Sequence, residues 1–417
     1  MKILWALLLL LWSGSGEDTA VQAELKQWLR SAVAAAVAQQ LPAGEPSGLP
    51  APGVPSRPGS SGEPEPAEPE SNPAGFAKRD PQKGTAPEVR GIYSTANSAG
   101  GSRLESLLEL ISSTDLNAIV IDVKNDWGEV TYSIRPEDHP LIAEYGTVQP
   151  VIRDIGELMR KLEEHDVYPI ARIVVFKDSR LAAKRPDLSF TNPDGTVWTN
   201  NRGESFVNPY CEEVWDYNLE VAREAARAGF REIQFDYVRF PEGFENKADS
   251  LVYKKDGRTR TEVIGEFTRY AYERLNPLGV RVSVDIFGYT ASVKAAEGIG
   301  QDFNLISKYV DVISPMVYPS HYSTGWFGLK VPDANPYETI AGAMRDTREK
   351  LAELGDEKPV VRPWIQDFTA TWVPGHIPYR KEEVEAQIRA LYDHGVREFL
   401  IWSPTNRYTT GVNYLLK

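Results

Sequence analysis

The chain from residue 89 onward alternates short apolar runs with longer stretches of helical periodicity. Eight of the runs are rich in β-branched and aromatic residues and have the length of buried β-strands. They are "VRGIYST" (89–95), "AIVIDVK" (118–124), "YPIARIVVF" (168–176), "EIQFDYVRF" (232–240), "RVSVDIFGY" (281–289), "DVISPMVYP" (311–319), "PVVRPWIQDF" (359–368) and "EFLIWSP" (398–404). Helical segments are predicted between them, over 103–113, 151–166, 210–229, 262–276, 337–353 and 381–394.

Eight strands that alternate with helices predict an α/β fold, a closed (β/α)8 TIM barrel over residues 89–417. The alternative is an open doubly wound sheet. Such sheets carry a glycine-rich phosphate fingerprint after a strand, and "GIYSTANSAGG" lacks its spacing. The barrel is therefore the predicted fold.

Three segments precede the predicted barrel. Residues 1–23 combine one lysine, an apolar run and small residues, which is typical of a secretory signal peptide and would act as a membrane anchor if it were not cleaved. Residues 24–41 predict a short helix, and residues 42–88, dominated by Pro, Gly, Ser, Ala and Glu, predict a disordered linker. We expect an exported bacterial protein, extracellular or associated with the cell envelope, with no integral membrane domain after cleavage.

The net charge of −13 at pH 7 restricts the partners. Its negative field would repel nucleic acid and anionic membranes, so we expect neither as a partner. A neutral or cationic ligand suits this charge better. The sequence leaves the oligomeric state open.

Carboxylates on the predicted strands are the candidate catalytic groups. Active sites of (β/α)8 barrels lie at the C-terminal ends of the strands, and strand alternation selects the side chains that point inward. The inward positions include Asp122 and Lys124 on the second strand, Arg172 on the third, Asp236 on the fourth and Asp285 on the fifth. Because an isolated buried charge is costly, these carboxylates must pair with cations or line a wet cleft.

Asp236 and Asp285 form the predicted catalytic pair. Neighbouring strands lie about 5 Å apart, so the two carboxylates could flank one scissile bond. Like charges this close raise one pKa, which leaves one group protonated as an acid and the other ionised. The alternative is a salt-bridged barrel interior, with Lys124, Arg172 and Arg362 as the partners of the carboxylates.

Aromatic residues at or beyond the predicted strand ends favour a carbohydrate cleft, since sugar rings stack on aromatic faces. They are Tyr93, Trp127, Tyr237, Tyr289, Tyr318, Tyr322, Trp326, Trp364, Trp372 and Trp402. The five histidines show neither His-x-His nor His-Glu-x-x-His spacing, and the chain has no Gly-x-Ser-x-Gly elbow. We therefore expect no metal and no other cofactor.

Motifs on six of the strands resemble the bacterial putative glycosyl hydrolase domain family. They are "RGIYST", "AIVIDVKNDWG", "IQFDYVRFP", "VSVDIFG", "ISPMVYPSHY" and "FLIWSP", and the resemblance covers about four fifths of the chain. Members of that family look like exported (β/α)8 barrels related to polysaccharide-degrading glycosidases. The resemblance implies the same fold and class of activity here.

Two more distant resemblances bear on mechanism. "PMVYPS" and "LIWS" look like the sixth- and eighth-strand positions of chitinase-type barrels, but the fourth strand lacks their Asp-x-Asp-x-Glu, which argues against substrate-assisted catalysis. Acidic residues on the fourth and fifth strands are similar to the nucleophile and acid of α-amylase-type barrels. Asp285 stands where those enzymes have glutamate, which leaves the roles open.

The sequence thus predicts a glycoside hydrolase that cleaves a bacterial or environmental polysaccharide or oligosaccharide by a two-carboxylate acid/base mechanism. Asp236 is the predicted nucleophile or general base, and Asp285 the predicted general acid. The predicted substrate-binding residues are Tyr93, Asp122, Lys124, Arg172, Arg239, Tyr318, Trp364, Gln366 and Trp402. Arg239 would orient Asp236 or a substrate hydroxyl. Tyr318, Trp364 and Trp402 would form a platform on which a sugar ring stacks. The alternative is a non-catalytic glycan-binding barrel at the cell surface.

Overall fold

A computed structural model describes residues 86–355 and 358–416 of the chain. The predicted signal peptide (1–23), the predicted short helix (24–41) and all but the last three residues of the predicted linker (42–88) lie outside the described residues. Among the described helices, none is both long enough and apolar enough to cross a membrane.

The described residues contain eleven strands. In chain order they are β1 (Arg90–Ser94), β2 (Ala118–Lys124), β3 (Val130–Tyr132), β4 (Val148–Ile152), β5 (Tyr168–Val174), β6 (Glu232–Asp236), β7 (Arg281–Phe287), β8 (Val312–Met316), β9 (Val360–Val361), β10 (Trp364–Gln366) and β11 (Phe399–Trp402). Strands β1, β2, β5, β6, β7, β8, β10 and β11 pair in that order, every pair is parallel, and β11 returns to β1. The closed barrel confirms the predicted fold class.

The described helices are α1 (Ala96–Ala99), α2 (Arg103–Ser112), α3 (Pro140–Tyr145), α4 (Ile155–Glu164), α5 (Ser179–Lys184), α6 (Glu212–Ala228), α7 (Arg260–Leu275), α8 (Phe303–Ser307), α9 (Pro336–Ala352) and α10 (Lys381–Asp393). The six predicted helical segments correspond to α2, α4, α6, α7, α9 and α10. Local chemistry sets their ends: Thr259 and Glu262 form a capping box before α7, and Gly229 ends α6 at φ 116°.

Strand alternation divides the apolar residues into two layers. On β2, Ile119 and Ile121 face the helices, whereas Val120 packs inside the barrel with Tyr168 and Leu400. The outer layer, between strands and helices, is the larger core. The inner layer fills the lower lumen, so the polar side chains above it lie on a packed floor.

A buried ion pair closes the N-terminal end of the barrel. Arg362 lies between two carboxylates, with Nη1 2.7 Å from Glu232 Oε1 and Nε 2.8 Å from Glu398 Oε2. Asp236 lies four residues further along β6, about 13 Å away. Arg362 is therefore not a partner of Asp122, Asp236 or Asp285, and that part of the sequence interpretation is wrong.

Two features of the sheet differ from the sequence prediction. Strands β3 and β4 extend the sheet beyond β2 after a tight turn over 125–129, and the sequence pattern did not predict them. The fourth barrel strand ends at Asp236 rather than at residue 240, because Tyr237 adopts a left-handed backbone with φ 52°. Val238 and Phe240 consequently join the outer core and do not continue the inward alternation.

Candidate active site

Three carboxylates and one guanidinium meet at the C-terminal end of the barrel lumen. Asp122 ends the inward row of β2, Arg172 lies on β5, Asp236 is the last residue of β6, and Asp285 lies on β7. All four side chains are buried. The structure thus brings together four of the five site residues that the sequence predicted on these strands, Asp122, Arg172, Asp236 and Asp285.

Arg172 links the carboxylates. Its Nε and Nη2 donate to Asp236 Oδ2 at 2.9 and 2.7 Å, and its Nη1 donates to Asp122 Oδ1 at 2.7 Å. Nη1 also lies 3.2 Å from Asp126 Oδ2. One cation therefore neutralises several acids, because the planar fork of an arginine has five N–H donors.

Asp236 is held in place from both sides. Oδ2 accepts the two bonds from Arg172, and Oδ1 accepts the backbone N–H of Tyr237 at 2.6 Å. This last contact depends on the left-handed turn at Tyr237, which is therefore part of the site. The side chain of Arg239 bonds the Phe240 carbonyl and Glu242 and not this carboxylate, so of its two predicted roles the orientation of Asp236 is not observed.

Asp285 has a different environment from Asp236. Its side chain is 2% exposed, and Oδ1 accepts the indole N–H of Trp364 at 2.8 Å. Burial and the nearby charge of Asp236 raise the pKa of Asp285 well above its usual range, although Trp364 and Arg172 oppose that shift. The register between β6 and β7 pairs Phe235 with Val284, and one further step along both strands places Asp236 beside Asp285.

Asp122 is the third acid of the site. It accepts the hydroxyl of Tyr93 at Oδ2, 2.6 Å away, and Arg172 at Oδ1. Burial raises the pKa of Asp122 to about 6, against the opposing effect of Arg172. Tyr93 and Asp122 were both predicted as substrate-binding residues, and they meet at the rim of β1 and β2.

A second set of charges, which sequence reasoning missed, lies above the first. Asp126, in the turn between β2 and β3, is about one third exposed, and its Oδ1 lies 3.1 Å from Lys177 Nζ. Lys177 also contacts Glu204 at 3.0 Å. Burial raises the pKa of Asp126, but Lys177 and Arg172 outweigh it and hold that pKa below the usual range. Asp126 is therefore an ionised acceptor open to the cleft; the turn-forming "NDWG" was the available signal.

The prediction that Lys124 shares the inward face of Asp122 is wrong. The pairing with β5 shifts between Asp122 and Lys124, and this β-bulge turns the lysine outward. Its Nζ lies 2.7 Å from Asp178 Oδ2 and 2.8 Å from the Val174 carbonyl, behind the barrel wall. Lys124 therefore has no access to the cleft.

Two further predicted binding residues have structural contacts instead. The guanidinium of Arg239 packs over the rings of Phe287 and Tyr237, at 4.6 and 4.7 Å, and bonds Glu242. Gln366 Oε1 accepts the Ser320 backbone N–H and hydroxyl, and its Nε2 donates to the carboxylate of Asp333 and the carbonyl of Phe368. These contacts leave Gln366 no free amide group for a substrate.

Aromatic side chains form one wall of the cleft. Tyr318 packs on Trp402 with ring centroids 5.1 Å apart, and Phe368 lies 5.2 Å from Trp402. His321 packs on Tyr318 at 4.9 Å; sequence reasoning set it aside because it lies in no metal-binding motif. Trp364 lies deeper, edge-on to Tyr93, so it belongs to the floor of the cleft.

The Tyr318 hydroxyl faces the carboxylates. Burial, followed by the charges of Asp285 and Asp236, raises its pKa. It makes no hydrogen bond to any residue of the described ranges. No group of three or more His, Cys, Asp or Glu side chains within 86–355 and 358–416 has an arrangement that could hold a metal ion.

Solved structures and protein families were compared with the chain. A hypothetical protein from Ruminiclostridium thermocellum is 33% identical over 46% of this chain and 96% of that one, with a TM-score of 0.42. An α-galactosidase from Thermus thermophilus in complex with stachyose is 12% identical over 78% of this chain and 63% of its own, with a TM-score of 0.49. An exo-β-N-acetylglucosaminidase from Vibrio harveyi is 16% identical over 77% of this chain and 51% of its own, with a TM-score of 0.45.

The chain spans less than two thirds of the length of the last two proteins. A comparison with curated proteins found no match. The family described as "Putative glycosyl hydrolase domain" matches residues 91–408, from the first barrel strand to beyond the last. That match covers well over half of the sequence, and the chain belongs to the putative glycosyl hydrolase domain family.

Proposed function

We propose that the protein is a glycoside hydrolase that cleaves a polysaccharide with Asp285 as general acid and Asp236 as nucleophile or general base. The observation that carries the proposal is the contrast between two adjacent carboxyl groups. Arg172 neutralises Asp236, whereas Asp285 is buried beside a negative charge with an indole N–H as its hydrogen-bond donor. Carboxyls whose environments differ in this way divide acid and base roles between them.

Burial and the nearby charge of Asp236 raise the pKa of Asp285, which favours the protonated form that a general acid requires. The Trp364 indole occupies Oδ1, so Oδ2 carries the proton and can donate it. A glycosidic oxygen within hydrogen-bond distance of Oδ2 would receive that proton as the bond to the anomeric carbon breaks.

Asp236 supplies the negative charge opposite that acid. Two donors of Arg172, Nε and Nη2, bond Oδ2 of Asp236, whereas Oδ1 accepts only the Tyr237 backbone N–H. Oδ1 therefore retains a lone pair for the anomeric carbon or for a water. Neighbouring strands about 5 Å apart match the carboxyl spacing of retaining glycosidases, which favours direct attack by Asp236.

The side chains that line the cleft indicate which kind of substrate it binds. Tyr318 and Trp402 offer ring faces for a sugar, and the Tyr318 hydroxyl is free to hydrogen-bond it. Asp126 offers an ionised, partly exposed acceptor for sugar hydroxyls. A surface of this kind suits a neutral glycan chain.

Product analysis against a panel of bacterial exopolysaccharides and peptidoglycan tests the proposal. We expect the parent protein to release new reducing ends, and Asp285→Asn and Asp236→Asn to lose activity by about 10²-fold or more while still binding the glycan. Asp154→Asn is the matched control, because Asp154 is an exposed N-cap and asparagine caps equally well.

Two outcomes would contradict the proposal. If both site variants cleave as fast as the parent, the assignment of these carboxylates is wrong. If the parent binds glycans of the panel and cleaves none, the non-catalytic glycan-binding alternative is correct. NMR of the first anomer released checks the mechanism, since attack by Asp236 on the anomeric carbon predicts retention and activation of a water by Asp236 predicts inversion.

A further inference from the structure

A groove lies beside the cleft, outside the residues assigned to catalysis. A cavity of about 560 Å³ is lined by Ser292 after β7, by Trp326 and Phe327 after β8, and by Asp346 of α9. A second cavity of about 320 Å³ shares Ser292 and Asp346 with the first. The two therefore form one continuous depression, here called the α9 groove.

The α9 groove contains polar groups that the protein itself leaves unused. Asp346 makes no hydrogen bond or ion pair with any residue of the described part of the chain. The Ser292 hydroxyl is buried and likewise has no hydrogen-bond partner there. Because folded proteins satisfy most buried polar atoms, a free hydroxyl beside a free carboxylate points to a ligand.

The Tyr322 hydroxyl gives an independent indication beside the same carboxylate. Tyr322 is 8% exposed, and its hydroxyl has no partner among the described residues. It lies close enough to Asp346 that, after burial itself, the charge of Asp346 raises the pKa of Tyr322. The Ser292 hydroxyl and the Asp346 carboxylate thus line the groove, and the buried Tyr322 hydroxyl lies within range of the same carboxylate.

Trp326 supplies the apolar surface of the groove. Its ring is packed edge-on by Tyr289 at 6.3 Å and by Tyr322 at 5.7 Å, which fixes its orientation. The side chain is only half-buried and lines the cavity, and its indole N–H bonds no described residue. A fixed indole ring next to hydroxyls and a carboxylate is the set of groups that binds a sugar ring and its hydroxyls.

We propose that the α9 groove binds an uncharged sugar unit of the polysaccharide at a distance from the scissile bond. Trp326 stacks on the ring, Asp346 accepts two of its hydroxyl hydrogen bonds, and Ser292 completes the polar contacts. The lining of the groove has three carboxylates, Asp346, Glu349 and Glu353, against two lysines, Lys294 and Lys350, so its charge disfavours an anionic sugar. Ser292 and Trp326 lie in the segments that follow β7 and β8, whose C-terminal ends also border the cleft, so one chain can reach both; the inference in this respect rests on the proposed function.

Affinity electrophoresis in gels that contain each polysaccharide of the panel tests the inference. The protein carries Asp285→Asn, so that binding is measured without cleavage. We expect Trp326→Ala to weaken binding of the polymer about tenfold or more, and Asp346→Asn to weaken it in the same direction. Glu338→Gln, an exposed carboxylate on the same helix, is the matched control and should bind as before.

Kinetics in the active protein separate this inference from the proposed function. Trp326→Ala should raise KM for the polymer and leave kcat/KM for a short oligosaccharide unchanged. If the parent cleaves the polymer and neither groove variant changes polymer affinity or KM, the inference is wrong while the proposed function stands. If the parent cleaves nothing yet both groove variants lose binding, the proposed function is wrong while the inference stands. Binding of poly-lysine that depends on Trp326, without binding of any glycan, would identify a peptide site and overturn the inference.

Discussion

The Arg172→Met substitution tests the electrostatic arrangement of the site most directly. Methionine keeps much of the apolar volume and removes every N–H donor of the guanidinium. Asp236 then loses two hydrogen bonds and Asp122 loses one, and these carboxylates are only 6% and 4% exposed. Asp126 keeps its contact with Lys177. The substitution therefore leaves two buried carboxylates without their cation.

The cost follows from the burial of these groups. Removal of one partner from a buried ion pair costs about 3–5 kcal/mol of unfolding free energy, since a charge is left uncompensated. The carboxylates can relieve the cost by binding protons, so the loss is largest near pH 8 and shrinks toward pH 5. In the same variant a protonated Asp236 is no nucleophile, so we expect the acid limb of kcat/KM to move to higher pH.

Urea unfolding followed by tryptophan fluorescence at pH 8, 7 and 5 measures the effect. The control is Arg180→Met, because Arg180 is 59% exposed and its ion pair with Glu129 should contribute less than about 1 kcal/mol. A second variant, Arg172→Met with Asp236→Asn, should recover part of the loss at pH 8. A loss below about 1 kcal/mol at pH 8, or one that is equal at pH 8 and pH 5, would refute the argument.

Three further predictions follow from the same contacts. Trp364→Phe removes the hydrogen bond that favours ionised Asp285, so the alkaline limb of kcat/KM should move to higher pH; an unchanged limb would exclude Asp285 as the acid. Asp285→Asn should raise the melting temperature at pH 7 but not at pH 3, because the raised pKa of Asp285 destabilises the fold only above the pH at which the unfolded carboxyl ionises. Lys124→Met leaves Asp178 unpaired and should lower the melting temperature, yet leave KM unchanged; a raised KM would place Lys124 in the cleft.

Much of the fold follows from local pattern. β-branched runs and helical periodicity are properties of neighbouring residues, and they identified all eight barrel strands and six helices. The strand ends were less predictable: "FDYVRF" has the composition of a strand, but Tyr237 turns left-handed, and its ring packs between Lys177 and Arg239. Such a turn depends on side chains from other parts of the chain.

The same distinction holds for the site. Asp236, Asp285 and Asp122 were found because an acid on a buried strand is unusual in any barrel, and alternation correctly placed them inside. Alternation failed at Lys124, where a bulge that depends on the pairing with β5 reverses the side chain. The sequence prediction missed Asp126 because the turn that carries it comes to lie beside the other acids only when the barrel closes.

The sequence by itself determined that this chain is an α/β barrel with acids at the ends of its central strands. Only the tertiary structure decided which acid pairs with a cation and which acid has its pKa raised. That difference arises because Arg172 reaches Asp236 and Asp122, whereas Asp285 has the indole of Trp364, a residue 79 positions away along the chain. Proton affinity depends on burial and on charges within a few ångströms, and those neighbours come from strands that are distant in sequence.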